Sequence, residues 1–275
     1  VDVYHEAIKK QIGHIESELS KIRKRKKIMR TTRAELGFPI ISLAGYTVAG
    51  KSTLFNSLTG AGVKVAEGPF TTLSPKTSVV NFGGKKALLT DTVGFIDGLP
   101  ITLIEAFKST LEETTFSNLI ILVIDCSEEF SEIERKLRCC LETLREIGIV
   151  TTPIITAFNK IDLIDHTRIN ELSKKLNVLA SSPILISAIY DTNLSELKGL
   201  VSGRLRNFMR VSFELPLNSS CMSLISKIRK FASVLSQEYH NESVFVKVES
   251  ADHLIDKIKN NVERLGGKLI EAERI

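Results

Sequence analysis

The apolar run Phe38 to Ala44 breaks at Gly45-Tyr46-Thr47-Val48-Ala49-Gly50-Lys51-Ser52, and a helix-compatible stretch resumes at Thr53 and runs to Leu58. A strand that enters a helix through a glycine-bounded loop constrains the fold more than any other stretch of this chain. It points to an α/β layer arrangement with the loop at the carboxyl end of a strand. The glycines allow a tight turn in which the N–H groups from Gly45 to Thr53 face inward, a geometry that holds a polyphosphate. Lys51 can reach the outer oxygens and is a candidate catalytic group, while the Ser52 hydroxyl can ligate Mg²⁺.

Downstream, apolar runs alternate with segments of helical period. Strands are predicted at 38–44, 77–82, 86–91, 119–125, 153–158 and 183–186, and helices at 51–58, 101–114, 131–147, 168–179 and 194–208. The strands are continuously apolar, which predicts a mostly parallel six-stranded sheet covered on both faces. From Val211 the pattern changes. A strand (211–215), a helix bearing Leu224, Ile225, Ile228, Phe231 and Leu235, a strand (243–248), a second helix and a last strand (268–270) read as a small βαβαβ module.

Bulk properties exclude several classes. The longest uninterrupted apolar segment, Leu119 to Ile124, is far shorter than the roughly 20 residues of a membrane span, and no secretory leader is apparent. No stable membrane insertion is expected. Cys126, Cys139, Cys140 and Cys221 lack CxxC spacing, so reduced thiols and a cytoplasmic location are expected. The net charge is +5, and residues 1–37 account for all of it, with ten Lys/Arg against five Asp/Glu. There Ile8, Ile12, Ile15, Leu19 and Ile22 recur at helical spacing beside Lys21, Arg23, Lys24, Arg25, Lys26, Lys27, Arg30 and Arg33. Such a basic helix is either a solvated face or a contact for a phosphate-rich surface such as RNA.

The base-reading residues narrow the nucleotide. Asn159-Lys160-Ile161-Asp162 follows the strand 153–158. A carboxylate at Asp162 can accept from guanine N1–H and the 2-amino group, which adenine cannot supply. Lys160 would lay its stem along the base, and Asn159 would tie this loop to the phosphate loop. Asp91-Thr92-Val93-Gly94 ends the strand 86–91, so Asp91 can hold Mg²⁺ through water and the Gly94 N–H can sense a γ-phosphate. Ser187-Ala188 follows the strand 183–186, placing the Ala188 N–H within reach of guanine O6. Between the phosphate loop and Asp91, Thr72, favoured over Thr71, is expected to close on Mg²⁺ when the γ-phosphate is present.

The set Gly45 to Ser52, Thr72, Asp91 to Gly94, Asn159 to Asp162 and Ser187-Ala188 resembles translation-factor-type GTPases. The strings GYTVAGKSTLFNSLTG, FTTLSPKT and DTVGFIDGLPITLIEAFKSTLEET are similar to the HflX family of ribosome-associated GTPases. The resemblance implies a P-loop GTPase domain over 38–209, preceded by a basic helical linker over 1–37 and followed by a small C-terminal α/β domain over 210–275. It further implies GTP and GDP as substrate and product, Mg²⁺ as cofactor, and a ribosomal partner, the large subunit and its rRNA. A monomer without a DNA partner is expected. Family members usually begin with a further domain and a GPGE-type stretch, neither of which occurs here, so a truncated chain is expected. Val48 stands where the family usually has the asparagine linked to K⁺; an isopropyl group cannot ligate a cation, so K⁺ stimulation is not expected.

Phe95 occupies the position after the DxxG glycine, where many GTPases carry a water-orienting glutamine. A phenyl ring offers no such hydrogen bond, which predicts slow intrinsic hydrolysis unless a partner surface assists. Two readings follow: a GTPase that acts as a ribosome-bound switch, or a nucleotide-gated RNA or ribosome-assembly binding module in which hydrolysis is incidental.

Overall fold

A computed structural model describes residues 38–60, 76–92, 94–95, 114–205 and 207–275. The predicted helix over 101–114 and the basic segment 1–37 lie outside the described residues, apart from Thr114. In chain order the elements are β1 (Ile40–Gly45), α1 (Lys51–Thr59), β2 (Lys76–Phe82), β3 (Lys85–Asp91), β4 (Leu119–Asp125), α2 (Phe130–Glu146), β5 (Ile154–Asn159), α3 (His166–Leu179), β6 (Pro183–Leu185) and α4 (Leu194–Arg204). There follow β7 (Phe208–Pro216), α5 (Ser219–Phe231), β8 (Ser233–Tyr239), β9 (Ser243–Ala251), α6 (Asp252–Arg264) and β10 (Lys268–Arg274).

The first sheet has the order β2-β3-β1-β4-β5-β6, and only the β2–β3 pair is antiparallel. Its central strands β1, β4 and β5 are largely apolar because both faces are covered. Along β4, Leu119, Ile121 and Val123 join a core with Leu54 and Leu58 of α1 and Leu197 and Val201 of α4. The alternate residues Ile120, Leu122 and Ile124 join Ile133 and Leu137 of α2 and Leu172 and Leu176 of α3. Each such side chain contributes roughly 1.5–3 kcal/mol on burial, so β4 anchors both layers. After β1 the chain runs to β3 on one side and then crosses to β4 on the other. The switch point therefore lies at the carboxyl end of β1, where α/β sheets bind ligands.

The second sheet has the order β10-β7-β9-β8, and every pair is antiparallel. Here apolar and polar residues alternate, because the helices lie on one face only. Val211, Phe213 and Leu215 of β7 and Val244, Val246 and Val248 of β9 pack on Ile225 and Ile228 of α5 and Ile258 and Val262 of α6. The topology is βαββαβ, a split-βαβ arrangement, rather than the expected βαβαβ. The additional strand is β8, and Leu235, assigned from periodicity to the preceding helix, lies within it. The helix stops at Phe231, Ala232 is extended, and β8 pairs with β9. Likewise α4 ends at Arg204 instead of running to Phe208, because Phe208 opens β7 and pairs with Ala251.

The β2–β3 turn meets the second sheet. Lys85 donates to the Leu205 carbonyl at 3.0 Å and lies 5.2 Å from the Phe208 ring centroid. Lys86 donates to the Arg229 carbonyl, and the buried Glu249 pairs with Arg210 at 3.4 Å.

Candidate functional site

The loop between β1 and α1 is held from three sides. On one, the DxxG segment continues the parallel sheet beyond β3: Phe95 N–H donates to Gly45 O at 2.9 Å, and Thr47 N–H donates to Phe95 O at 2.8 Å. On the second, the Asn159 side-chain amide, at the end of β5, donates to Ala49 O at 2.9 Å. Gly50, at φ 91°, sits so close that a Cβ would lie 2.3 Å from Asn159 Nδ2. Glycine at this position is thus required by both the backbone and its neighbour. The third contact is Tyr46, whose ring faces α2, with Lys136 Nζ 4.8 Å and Arg135 Cζ 5.9 Å away. Val48 is an exposed β-branched residue at φ 63°, a sterically costly conformation.

Lys51 starts α1 and turns its ammonium back into the loop, donating to Gly45 O at 3.1 Å and Tyr46 O at 2.9 Å. Burial lowers its pKa to about 8, with the nearby Asp91 charge opposing the shift. Gly94 lies over it: a Cβ there would be 2.9 Å from Lys51 Nζ and 3.0 Å from the Thr47 methyl. Ser52 Oγ donates to Asp91 Oδ2 at 2.8 Å, joining α1 to the end of β3, and Asp91 is fully buried. A hydroxyl and a carboxylate oxygen at this spacing are hard donors of the kind Mg²⁺ takes, so the residues present fit that ion.

At the far end of the sheet, Lys160 adopts a left-handed backbone conformation (φ 72°) that leads into a single 3₁₀ turn carrying Asp162. Ser187 Oγ donates to Asp162 Oδ1 at 2.5 Å, which orients the carboxylate from the loop after β6. Ser57 of α1 donates to the Ala188 carbonyl at 2.6 Å, linking that loop back to the helix behind the phosphate loop. The Ala188 N–H donates to Asn159 Oδ1 at 2.9 Å. An acceptor on a base would have to share or replace that bond.

The structure thus brings together Gly45 to Thr53, Asp91, Gly94, Asn159, Lys160, Asp162, Ser187 and Ala188 at the carboxyl ends of β1, β3, β5 and β6. Thr71, Thr72 and the basic residues Lys21 to Arg33 lie outside the described residues. Phe95 is buried in the core with Ala44, Ile120, Leu122 and Cys140, against which Tyr46 of the loop also packs. Two polar groups escaped the sequence reading. One is Ser57. The other is Asp125 at the end of β4, whose Oδ2 lies 2.6 Å from Lys160 Nζ. A carboxylate closing a fully apolar strand beside Asn159 is the signal that could have revealed it.

Such a phosphate cradle, with Asn159-Lys160-Ile161-Asp162 one strand beyond β4, defines a P-loop GTPase fold. Residues 40–160 match the family described as 50S ribosome-binding GTPase. Among solved structures, the chain is similar to a GTP-binding protein from the hyperthermophilic archaeon Sulfolobus solfataricus in complex with GDP. That likeness has 35% identity and a TM-score of 0.50, and covers 69% of this chain and 60% of the other. Among curated proteins, it is 38% identical to GTPase HflX of Lacrimispora saccharolytica over 92% of this chain and 58% of that one. It is 41% identical to GTPase HflX of Methanocaldococcus jannaschii over 73% of this chain and 49% of that protein. The chain belongs to the HflX GTPase family and spans about half the length of the curated relatives it matches.

Proposed function

We propose that this chain binds guanine nucleotide in the Gly45–Thr53 loop and hydrolyses GTP slowly, as a switch on the large ribosomal subunit. The observation that carries the reading is the Asn159 bridge. One side chain donates to the phosphate loop and accepts from Ala188, so the candidate phosphate and base sites form a single rigid frame. In that frame the Asp162 carboxylate accepts from guanine N1–H and the 2-amino group, and adenine would leave it unpaired. Lys51 and the loop N–H groups neutralise phosphate charge, and the Gly94 N–H is aimed at the transferred group. Ser52 and Asp91, joined by Thr72, would hold Mg²⁺, which supplies charge neutralisation between the phosphates. Val48 offers K⁺ no ligand. With the Phe95 ring in the core, the segment after Gly94 places no polar side chain at that position to orient water, which supports slow turnover without a partner.

The domain scheme 1–37, 38–209 and 210–275 belongs to the same reading, with the basic run contacting rRNA and the protein acting in the cytoplasm. Among the described residues no helix is long and apolar enough to cross a membrane. Nucleotide competition tests the core of the proposal. GDP and GTP are expected to bind with Mg²⁺ while ATP fails, and Asp162→Asn should lose guanine preference by roughly 100-fold or more. Single-turnover hydrolysis with and without large ribosomal subunits tests the switch. Acceleration supports it; GTP-dependent association with unchanged hydrolysis would favour a nucleotide-gated binding module instead.

A further inference from the structure

Lysine is a poor wall for a binding slot unless its ammonium is tethered. Four flexible carbons carry about 2 kcal/mol of rotamer entropy, and a free side chain spends much of its time elsewhere. Lys160 is tethered. Its ammonium lies 2.6 Å from Asp125 Oδ2, with both side chains largely shielded from solvent. Asp125 is itself locked, since its Oδ1 accepts from Ser127 N–H at 2.9 Å and from Ser127 Oγ at 2.6 Å. The pair spans adjacent strands, because Asp125 is the β4 residue in register with Asn159 of β5. A second stitch runs beside it: Cys126 N–H and Sγ both donate to Asn159 O, at 2.9 and 3.0 Å. The carboxyl end of β4 therefore fixes the backbone of Asn159 and the side chain of Lys160 together.

We propose that Asp125 is a positioning residue for purine recognition, holding the Lys160 ammonium so that the lysine stem forms one wall of the base slot. The proposal rests on the guanine-binding reading above and adds to it a residue on a strand that the base-reading loops do not include. Burial opposes the charged form of the Asp125 carboxyl, and the bonds from Lys160 and Ser127 outweigh it and hold the group below the ordinary carboxylate range.

The role divides the ligand into parts. Asp125 serves the base and not the phosphates, and it serves any purine that the slot admits, whereas Asp162 distinguishes among them. Calorimetric titration of the full chain with GDP, IDP and inorganic pyrophosphate, each with Mg²⁺, separates these terms. Asp125→Asn should weaken GDP and IDP by the same factor, roughly three- to tenfold, as expected for loss of a partly buried pair, and leave pyrophosphate unchanged. Lys160→Met keeps the stem without the ammonium, and in that background Asp125→Asn should add no further loss. Ser127→Ala, which removes the hydroxyl bond to the carboxylate and keeps the backbone N–H bond, should give a smaller loss of the same pattern; should the Asp125 variant not fold, this variant alone decides. Unchanged GDP affinity in the decisive variant, an equal loss for pyrophosphate, or a full additional loss on the methionine background would overturn the tether. Wild-type protein that binds pyrophosphate but neither GDP nor IDP would instead overturn the guanine-binding reading on which it rests.

Discussion

The two sheets of this protein place polar residues by opposite rules. In the six-stranded sheet the interiors of the central strands β1, β4 and β5 are largely apolar, and Asp91, Asp125 and Asn159 stand where β3, β4 and β5 end. In the four-stranded sheet, polar residues alternate along the whole strand, as in Arg210, Ser212 and Glu214 of β7. Parallel strands need crossover helices, which cover both faces and leave only the strand ends open. The antiparallel sheet is covered by helices on one face and spends its polar residues on the other. The candidate site of the first sheet thus lies on one rim, while the second sheet distributes polar residues along its length. The difference teaches that a site should be sought where burial, rather than composition, leaves polar groups no other place.

This contrast predicts separable effects. Phe213→Ala, at a fully buried position of the second core, should cost about 3–5 kcal/mol of stability and leave GDP affinity unchanged in the protein that remains folded. Denaturant unfolding with parallel GDP titration reads both, and a matching loss of affinity would break the separation. Lys51→Ala should have the complementary outcome, weakening GDP by about 100-fold through loss of charge-assisted bonds to phosphate without lowering the unfolding midpoint of the nucleotide-free protein.

The joint between the sheets gives a finer test. Glu249 is buried against Arg210 and close to the Gly84 turn. Glu249→Ala should cost about 2–3 kcal/mol by leaving the guanidinium without its buried partner, again with GDP affinity intact. An affinity change would show that the second sheet feeds into the site through the β2–β3 hairpin. The smallest expected effect is on pH dependence. Lys51 has a pKa lowered to about 8 in the free protein, and phosphate binding favours its charged form. GDP affinity should therefore be flat below pH 7 and fall several-fold as pH rises through 8, with proton uptake on binding near that pH. Isothermal titration in buffers of different ionisation enthalpy measures the uptake, and Lys51→Ala should abolish it.

Much of the first sheet was legible because its signals are local. Leu119 to Asp125 is a run of the length of one strand and is bounded by polar residues, and the observed β4 has the same limits. Phosphate-loop residues announce themselves by backbone needs that only glycine meets. The second sheet hid β8 because Ile225, Ile228, Phe231 and Leu235 keep helical spacing across the boundary, with no glycine or proline to mark it. What ends the helix is pairing of Ser233–Tyr239 with β9, a contact that periodicity within one segment does not encode. Glu271 to Arg274 were missed for the same reason: four residues with little strand character of their own become the end of β10 by pairing with β7. At the site, a tie from Asn159 to the phosphate loop is legible in the sequence, whereas its acceptor Ala49 and the contacts of Asp125 and Ser57 are not.

The sequence alone determined which chemical groups this protein has and the short-range geometry that needs only neighbours: a glycine-bounded loop, a lysine and a serine entering a helix, and a carboxylate three residues after an asparagine. Only the tertiary structure decided which of them meet, since residues 110 positions apart such as Ala49 and Asn159 are brought together by strand order and register. Side-chain hydrogen bonds reach about 3 Å, and no pattern along the chain specifies distances across it at that scale.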